Sequence, residues 1–363
     1  MRRERDTGPL AAHSIDGSSE SHTEPNLFRS HGQRSSIAVE FSKTALRIAQ
    51  LSAPSSAPSV CATAILPPVK GIFDAGPVDD ASVRRLRETL KHGRFSGSAC
   101  AMALPASSVF SEAVEVPALA SEELRESVSW VAVDRLGVER GDLVSGHLPI
   151  RNGTLGGTAQ EVLVIASQRA MVARAIAFLT HAGLETRRAE LGSAAAMRLC
   201  WNMMKDSGRV PSFGFLHLES DRATLALLNL HGLTYFRSFE WESSAVLHAE
   251  LIPVAGAEDQ SQAWRWRQLG EQVLQCLRHV ERRAPGSWPE LIRVSGPLAE
   301  EPGVASAIGS VCGAATEVFD SSHRVDWSHA PTTAGGRAAW NAALALVLPS
   351  PAAPSAVPSR RVA

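Results

Sequence analysis

Residues 37–51 run Ile37-Ala38-Val39-Glu40-Phe41-Ser42-Lys43-Thr44-Ala45-Leu46-Arg47-Ile48-Ala49-Gln50-Leu51. Two apolar stretches flank the polar centre of this segment, and the pattern predicts an opening β-hairpin. A second hairpin is predicted over residues 213–230, and a strand that begins at Leu291 is predicted to turn at Gly296 into a helix. The order of these segments along the chain decides the fold assignment.

The composition of the chain is that of a globular protein of about two domains. Its 363 residues are 44% hydrophobic and 20% charged, which is enough to build a sizeable core. The 36 Lys and Arg residues balance the 37 Asp and Glu residues, so nothing predicts nucleic-acid binding. No apolar run approaches the roughly 20 residues of a membrane-spanning helix, and the Arg-rich start lacks the apolar stretch of a secretory signal.

The globular part of the chain is predicted to lie between two tails. Residues 1–35 are polar and without periodicity, and residues 349–363 are rich in Pro, Ala and Ser. Such composition is typical of disordered segments. Between the tails, strands and helices alternate in two similarly ordered halves, which predicts an α/β fold with a ligand cleft between two domains.

The element pattern divides the globular part into two domains and an insertion. The predicted division is a first domain over 36–104 and 168–210 with a closing helix 337–348, an inserted subdomain 105–167, and a second domain 211–330 with a long helix 261–283. Helices are predicted over Asp80–His92 and Gln168–His181 from apolar residues at helical spacing. A helix that begins at Ser121 is favoured by Glu122 and Glu123, because carboxylates in the first turn suit the helix dipole.

These segments resemble PilM, the actin-like cytoplasmic protein family of type IV pilus assembly and a relative of the cell-division protein FtsA, over most of residues 37–348. The hairpin at 37–51 is similar to that family's Gly-Ile-Asp-Ile-Gly-x-x-x-x-x-Lys-x-x-x-Leu segment. The stretch from Ser295 to Gly303 is similar to its Gly-Gly-Gly-Ala-x-x-x-Gly adenosine loop. Further similar segments are Ala103-Leu104-Pro105, Val114-Glu115-Val116-Pro117, Glu122-Glu123-Leu124, Val162–Ala166, Ala182-Gly183-Leu184, Tyr235-Phe236-Arg237-Ser238 and Ala339–Leu348.

The resemblance implies an actin-like, ribonuclease H-like two-domain fold with a small inserted α+β subdomain. It also implies a cytoplasmic protein that lies at the inner membrane only through its partners, a PilN-like inner-membrane protein and other components of the pilus machine. In that family the cytoplasmic tail of PilN docks in a groove of the first domain beside the insertion. Here the groove is expected among the strand Val60–Leu66, the strands at 97–116 and the helix Gln168–His181, with apolar anchors and backbone pairing for recognition.

At the positions where the family binds ATP and magnesium, this sequence departs from the family pattern. In the first loop, Ala38 and Ser42 replace glycines, Glu40 replaces Asp and Arg47 replaces Lys. In the second loop, Leu216-His217-Leu218-Glu219 replaces Val-Asp-Ile-Gly. In the third loop, Pro297 and Leu298 replace glycines. Phosphate loops use glycine because the backbone must approach the anion closely. The positions that the resemblance assigns to the nucleotide loops are Glu40, Ser42, Lys43, Arg47, Glu219, Arg222, Thr224, Gly296 and Gly303.

Among these replacements, a carboxylate at position 219 has the largest expected effect. Two unit charges about 4 Å apart repel by roughly 4 kcal/mol at an effective dielectric constant near 20, which is about three decades in affinity. Arg222, which follows closely in the sequence, is expected to offset this charge by pairing with Glu219. His217 is a poor ligand for magnesium, which prefers oxygen. ATP hydrolysis is not expected. The two alternatives for a cofactor are ATP with magnesium and none at all, and the absence of a cofactor is favoured.

Each candidate position has a structural interpretation beside the functional one. Glu40 could hold a magnesium-bound water, or it could be a solvated carboxylate at a strand end. His217 could be a ligand or base, or a hydrogen-bonded histidine within a strand. Gly296 could shape an adenine pocket or only a turn between strand and helix. Trp264 is a candidate for a partner-binding face, whereas the helical spacing of Trp266 with apolar neighbours predicts a core residue.

The sequence therefore predicts a non-catalytic scaffold of a type IV pilus or related secretion machine. No catalytic residue and no metal site are predicted, because no paired-carboxylate site, nucleophile elbow or metal constellation is visible. The alternative is an ATP-binding ATPase or small-molecule kinase of the same superfold, which would need intact phosphate loops and a base beside the cleft. The functional part of this prediction depends on analogy between folds.

Overall fold

The structure is a computed structural model that describes residues 34–52, 58–74, 76–151, 159–206, 212–241, 257–321, 324–328, 330 and 336–348. The tails predicted over 1–35 and 349–363 lie outside these residues, apart from Arg34 and Ser35. The strands are β1 Ile37–Phe41, β2 Leu46–Leu51, β3 Val60–Leu66, β4 Ala99–Leu104, β5 Phe110–Pro117, β6 Leu143–Ile150, β7 Ala159–Gln168, β8 Glu185–Leu191, β9 Phe213–Leu218, β10 Arg222–Asn229, β11 Gly232–Glu240, β12 Leu291–Ser295 and β13 Ala315–Val318. The helices are α1 Asp80–His92, α2 Ser121–Leu136, α3 Arg169–His181, α4 Gly192–Asp206, α5 Ala257–Arg283, α6 Val304–Cys312 and α7 Asn341–Val347.

The first sheet has the strand order β3-β2-β1-β4-β8. β1 pairs antiparallel with β2, which gives the hairpin predicted over 37–51, and it pairs parallel with β4 on its other side. Every residue of β1 and β2 is buried, as expected for central strands whose two faces are both covered. Helix α7 packs on β1, β2 and β4 and is itself buried throughout.

The second sheet repeats this order as β11-β10-β9-β12-β13. β9, β10 and β11 form an antiparallel meander, and β12 pairs parallel with β9 just as β4 pairs with β1. Helices α5 and α6 pack together on this half, and Trp266 is in its hydrophobic core, as its helical spacing predicts. Two halves with the same strand order confirm the predicted α/β fold class.

A third sheet, of order β5-β7-β6, lies between β4 and β8 in the sequence. All of its pairings are antiparallel. Helix α2 packs on it, and Leu124 and Val128 of this helix share a separate small core with the sheet. This unit has the α+β composition expected of the insertion, while the domain limits at 104, 167 and 210 stay predictions.

The two large sheets are connected through helices α4 and α7. Helix α4 contacts β4 and β8 of the first sheet and β9 and β10 of the second, and it also packs along α7. At the start of α7, the buried amide of Asn341 donates to Ser295 Oγ at 3.0 Å and to the Phe319 carbonyl at 2.9 Å. These two hydrogen bonds attach a helix of the first half to the strand ends of the second.

A few element limits differ from the predictions for local reasons. The strand predicted from Gly97 begins at Ala99, because Gly97 has a left-handed φ of +80° that a strand does not allow. The long helix begins at Ala257 rather than residue 261. The closing helix predicted from Arg337 begins instead as a 3-10 turn, Ala338–Trp340, which leads into α7. Helix α1 covers the predicted residues, and the Asp79 carboxylate caps it by accepting the Ala81 N–H.

Gly296 provides a test of how closely β12 approaches β9. Its φ is +99°, and a Cβ at this position would lie 2.4 Å from the Leu218 carbonyl oxygen. We expect Gly296→Ala to lower the free energy of unfolding by about 3 kcal/mol or more, since a left-handed alanine costs about 1–2 kcal/mol and the overlap adds about 1–3 kcal/mol. Urea denaturation measures the change.

Gly183→Ala is the matched control for this prediction. Gly183 has a similar φ of +92°, but a Cβ there would meet nothing within 4 Å. This variant should therefore lose only the conformational part of the free energy. Equal losses in the two variants would contradict the close approach of β12 to β9.

Candidate functional site

The first hairpin places Glu40 and Arg47 opposite each other in the register of β1 and β2. Both residues are buried, and Nη1 of Arg47 lies 3.5 Å from Oε1 of Glu40. Burial raises the pKa of the Glu40 carboxyl, while Arg47 and the Ala343 N–H act in the opposite direction. Glu40 is therefore a buried acid paired with Arg47, and the interpretation as a solvated carboxylate at a strand end is wrong.

The turn of this hairpin connects the two halves of the molecule. Ser42 closes the turn, since its hydroxyl accepts the Ala45 N–H at 3.0 Å and donates to the Ala45 carbonyl at 2.8 Å. Lys43 reaches the second hairpin, where its Nζ lies 2.5 Å from Oδ2 of Asp221. Both charged side chains are partly exposed, so the ion pair contributes at most about 1 kcal/mol. Its main consequence is geometric, because the tips of the two hairpins touch.

Glu219 lies in the second hairpin, between β9 and β10. Both oxygens of its buried carboxyl accept the N–H of Ala106 at 3.1 Å, and Ala106 begins the short 3-10 helix Ala106–Ser108 after β4. The pKa of Glu219 is raised to about 8, chiefly by burial. The Ala106 N–H acts in the opposite direction, while the nearby Glu40 and Asp221 also raise the pKa. At neutral pH the carboxyl is mostly protonated, so it competes with an anion by occupying the amide more than by charge repulsion.

Arg222 does not pair with Glu219, contrary to the sequence expectation. Its Nη2 binds Oε1 of Glu240 at 2.7 Å. The antiparallel register of β10 and β11 places Arg222 directly opposite Glu240, and cross-strand neighbours of opposite charge pair readily. Arg222 therefore lowers the pKa of Glu219 only as the last and smallest of the contributions.

Thr224 and His217 are buried cross-strand partners in the same sheet. The hydroxyl of Thr224 donates to Ser238 Oγ at 3.4 Å, so its contacts remain within the second half. His217 stacks on Phe215, and burial, followed by the charge of Arg47, lowers the pKa of His217 to about 4. His217 is therefore a neutral histidine inside a sheet at physiological pH.

The two glycines of the third loop make the contacts of a turn. The N–H of Gly296 donates to the Ala338 carbonyl at 3.2 Å. Gly303 precedes α6 with a φ of +83°, and a Cβ there would lie 3.9 Å from the Trp266 ring. Next to Gly296, the Glu300 carboxylate accepts the N–H of Ala338 at 2.7 Å. A second backbone N–H in this region thus already has a carboxylate of the chain as its partner.

The structure brings only part of the predicted nucleotide-site residues together. Glu40, Lys43, Arg47 and Glu219 meet where the two hairpins touch. The residues with contacts inside their own part of the fold are Ser42, Arg222, Thr224 and Gly303. Gly296 instead bonds Ala338 in the turn that leads into α7. A phosphate needs available backbone N–H groups and close backbone access. The pairing of the Ala106 N–H with Glu219, beside a second buried acid, does not fit ATP with magnesium.

A separate cavity of about 720 Å³ is lined by residues of all three sheets. It opens between the third sheet, β8, α4 and the turn between β10 and β11. Six of the apolar residues that line it are Val144, Leu148, Ile165, Ala194, Met197 and Trp201. A cavity of this size with mainly apolar walls is typical of a ligand or peptide site.

Two edge strands border this cavity. Within the described residues, β6 pairs only with β7 and β8 pairs only with β4. Residues 144–149 of β6 and 188–191 of β8 line the cavity. An edge strand leaves alternate N–H and C=O groups unpaired along one side. An extended segment in the cavity can therefore bond to a strand edge while its side chains enter the apolar floor.

Several charged and polar side chains at the cavity already have partners within the chain. Glu190 lies 2.8 Å from Nε of Arg188 and 2.8 Å from Nη2 of Arg198. The indole N–H of Trp201 donates to the Asn229 carbonyl at 3.0 Å. These groups have partners, and the remaining surface of the cavity is mainly apolar.

The cavity overlaps only part of the groove region expected from the sequence. Leu104, Val109 and Val172 belong to the expected strands and helix, whereas no residue of β3 lines the cavity. β6, β8 and α4 supply most of the wall. Met197 and Trp201 are four residues apart on one face of α4. This helical spacing is the pattern in the sequence from which that wall could have been predicted.

Comparisons with known proteins identify the fold. No protein-family model and no curated protein sequence matches this chain. Among solved structures, a chain of the PilM–PilN type IV pilus biogenesis complex has a TM-score of 0.68 at 19% identity, over 86% of this chain and 97% of that chain. The chain therefore has the fold of that pilus protein. The predicted actin-like α/β fold and the resemblance to PilM are confirmed at the level of the fold.

Two further solved structures are more distant. A protein from Bacteroides thetaiotaomicron with an actin-like ATPase fold has a TM-score of 0.46 at 8% identity, over 79% of this chain and 91% of that chain. The cytoplasmic domain of EpsL, an inner membrane component of the type II secretion system of Vibrio cholerae, has a TM-score of 0.44 at 12% identity, over 85% and 94% of the two chains. In the described parts of this chain, no helix has the length and apolar character that crossing a membrane requires.

The raised pKa of Glu219 predicts how stability depends on pH. Because its pKa of about 8 in the folded state exceeds the usual 4.5, the stabilisation is present at low pH and is lost as pH rises through about 8. The lowered pKa of His217 affects stability below its usual pKa of 6.5. Above that pH, Glu219 dominates, and the raised pKa of Glu40 acts in the same direction. The free energy of unfolding should fall between pH 6.5 and 8, by up to about 1.4 kcal/mol per pH unit.

Glu219→Gln should make this fall shallower, because the glutamine amide does not titrate in this range. Urea denaturation of both proteins across this pH range measures the difference. Glu240→Gln changes an exposed carboxylate on the neighbouring strand and should keep the wild-type profile. A Glu219→Gln protein that loses stability with pH as steeply as wild type would contradict the assignment.

The occupied Ala106 N–H predicts that the cleft does not bind ATP. Calorimetric titration of the folded chain with ATP, with and without magnesium, should give no binding heat at millimolar nucleotide. The physical reason is that a phosphate must displace the buried Glu219 carboxyl from its amide. Magnesium-dependent binding at micromolar nucleotide would contradict this prediction.

Proposed function

We propose that this chain is a non-catalytic scaffold that docks an extended peptide in the cavity between β6, β8 and α4. The observation that carries the proposal is the cavity itself, about 720 Å³ with mainly apolar walls between two edge strands. The fold is shared with a chain of a PilM–PilN complex. On that ground, the proposed occupant is the cytoplasmic tail of a PilN-like inner-membrane protein.

The proposed binding mode combines backbone pairing with apolar anchoring. A peptide laid along β6 gains hydrogen bonds from the free edge of that strand. Every second side chain of the peptide then points toward Ala194, Met197 and Trp201 on the cavity floor. Burial of apolar surface contributes about 25 cal/mol per Å², so a few apolar side chains are expected to supply most of the affinity.

The contacts at the hairpins favour a scaffold over the alternative of an ATPase or kinase. Glu219 already bonds the Ala106 N–H, and Lys43 pairs with Asp221 across the mouth of the cleft. The histidine of this cluster, His217, is buried, and its pKa of about 4 makes it a weak base. The proposal accordingly assigns the chain no cofactor and no catalytic residue.

In this proposal the protein works in the cytoplasm, at the inner membrane, and is held there by its partner. The membrane-embedded partner supplies the anchor, and this chain presents its remaining surface to other components of a pilus or related secretion machine. Exposed Trp264 on α5, which is 56% accessible, is a candidate contact on that surface.

Leu148→Glu tests the docking proposal. Leu148 lies on β6, lines the cavity and is 36% exposed, so a charge there enters the cavity without burial in the core. A synthetic peptide of the cytoplasmic tail of the cognate PilN-like protein, with a fluorescent label, should bind the wild-type chain. The variant should bind about tenfold or more weakly, the effect of roughly 1.4 kcal/mol. Fluorescence anisotropy measures the affinities.

Ile176→Glu is the matched control. Ile176 is 37% exposed on α3 and does not line the cavity, so its variant should bind the peptide as wild type does. Failure of the wild-type chain to bind at high micromolar peptide would overturn the proposal. Equal weakening in both variants would place the peptide elsewhere.

A further inference from the structure

One segment, residues 104–109, contacts both the apolar cavity and Glu219 at the touching hairpins. Leu104 and Val109, at its two ends, line the cavity. Between them, the N–H of Ala106 bonds the Glu219 carboxyl of the second half. The carbonyl of Ser108 accepts the Ser167 hydroxyl at 3.0 Å, and Ser167 also lines the cavity.

This segment is short and fixed by its own hydrogen bonds. The backbone N–H and the hydroxyl of Ser108 both donate to the Pro105 carbonyl, at 3.0 Å and 2.8 Å. Leu104, Ala106, Ser108 and Val109 are all buried. A displacement at Ala106 is therefore transmitted to both ends of the segment, because packed interiors do not deform continuously.

The position of the segment in the topology gives it control over the shape of the cavity. It joins β4, in the first sheet, directly to β5, in the third sheet. The opposing cavity walls belong to these same two sheets, with β8 next to β4 and β6 in the sheet of β5. The conformation of residues 104–109 thus sets how far apart the two walls stand.

We infer that Glu219 is a positioning residue for the cavity: by accepting the Ala106 N–H it fixes the 104–109 segment and, through it, the spacing of the cavity walls. A buried N–H needs an acceptor, and loss of that acceptor is costly. The second half of the molecule supplies the acceptor here, so separation of the two hairpins loosens the cavity. Insofar as the cavity receives a peptide, the inference rests on the proposed function, and peptide binding in turn stabilises the contact of the hairpins.

Hydrogen–deuterium exchange of the full chain without peptide tests the inference. Glu219→Ala removes the acceptor and should speed amide exchange in residues 104–109 and in β6 by about fivefold or more, the lower end of common coupling between sites. Glu219→Gln keeps an uncharged acceptor and should stay close to wild type. Glu240→Ala alters an exposed carboxylate on the neighbouring β11 and should leave both regions unchanged.

A second variant approaches the same segment from the cavity side. Ser167→Ala removes the hydrogen bond to Ser108 and should speed exchange at Ala106, on the far side of the segment. This variant decides the question if Glu219→Ala does not fold. In Glu219→Ala, exchange could become faster in residues 104–109 while β6 exchanges as in wild type. That result would overturn the inference. So would Ser167→Ala with wild-type exchange at Ala106.

The labelled tail peptide separates this inference from the proposed function. If wild type does not bind the peptide, docking is wrong, while the exchange comparison still tests the link between Glu219 and the cavity. If wild type binds, Glu219→Ala should bind about 5-fold to 150-fold more weakly and Glu240→Ala as wild type does. Equal affinity of wild type and Glu219→Ala would overturn the inference and leave the docking proposal intact.

Discussion

The hydrogen bond between the Ala106 N–H and the Glu219 carboxyl holds together parts of the fold that share no strand pairing. Ala106 follows the first sheet and Glu219 follows a strand of the second. A carboxyl in this buried place is tolerated because it has a donor and because its raised pKa lets it remain uncharged. The contact lies beside the touching hairpins and the buried pair of Glu40 and Arg47, and helices α4 and α7 connect the same halves elsewhere.

The two halves of the molecule meet at the turns of two corresponding hairpins. Their identical strand orders bring two hairpin turns face to face. In a nucleotide-binding protein of this layout, an external anion would occupy the backbone N–H groups at such turns. Here acidic side chains of the chain itself accept two of the N–H groups in this region, from Ala106 and Ala338. These two N–H groups therefore have their acceptors within the chain.

The sequence was informative where structure follows from local pattern. The periodicity of apolar residues correctly predicted the hairpin at 37–51, helix α1 and the core position of Trp266. The partner of Arg222 was predicted wrongly, because residues close in sequence were weighed without the cross-strand register that selects Glu240.

Long-range contacts were not predictable in this way. Ala106 and Glu219 are 113 positions apart, and no local pattern marks an amide that will need a distant acceptor. The cavity was only partly located for the same reason. Its walls come from five separate stretches of chain, within 104–109, 144–151, 165–172, 188–201 and 228–233. The distance between β6 and β8 is a property of how the sheets pack. Apolar spacing identifies which face of a strand or helix is buried, but it does not identify the surface that meets it.

Helix α7 has a consequence for the order in which the protein can fold during translation. It is buried against β1, β2 and β4, so the first half lacks part of its core until residues 341–347 have been synthesised. The strands of the second half are complete earlier, at Val318. Nascent domains generally fold in the order of their synthesis, but here the half that is made first is the last to be completed. The growing chain therefore carries an uncovered apolar sheet face through most of its synthesis, and nascent-chain chaperones have a substrate there for as long as α7 remains unmade.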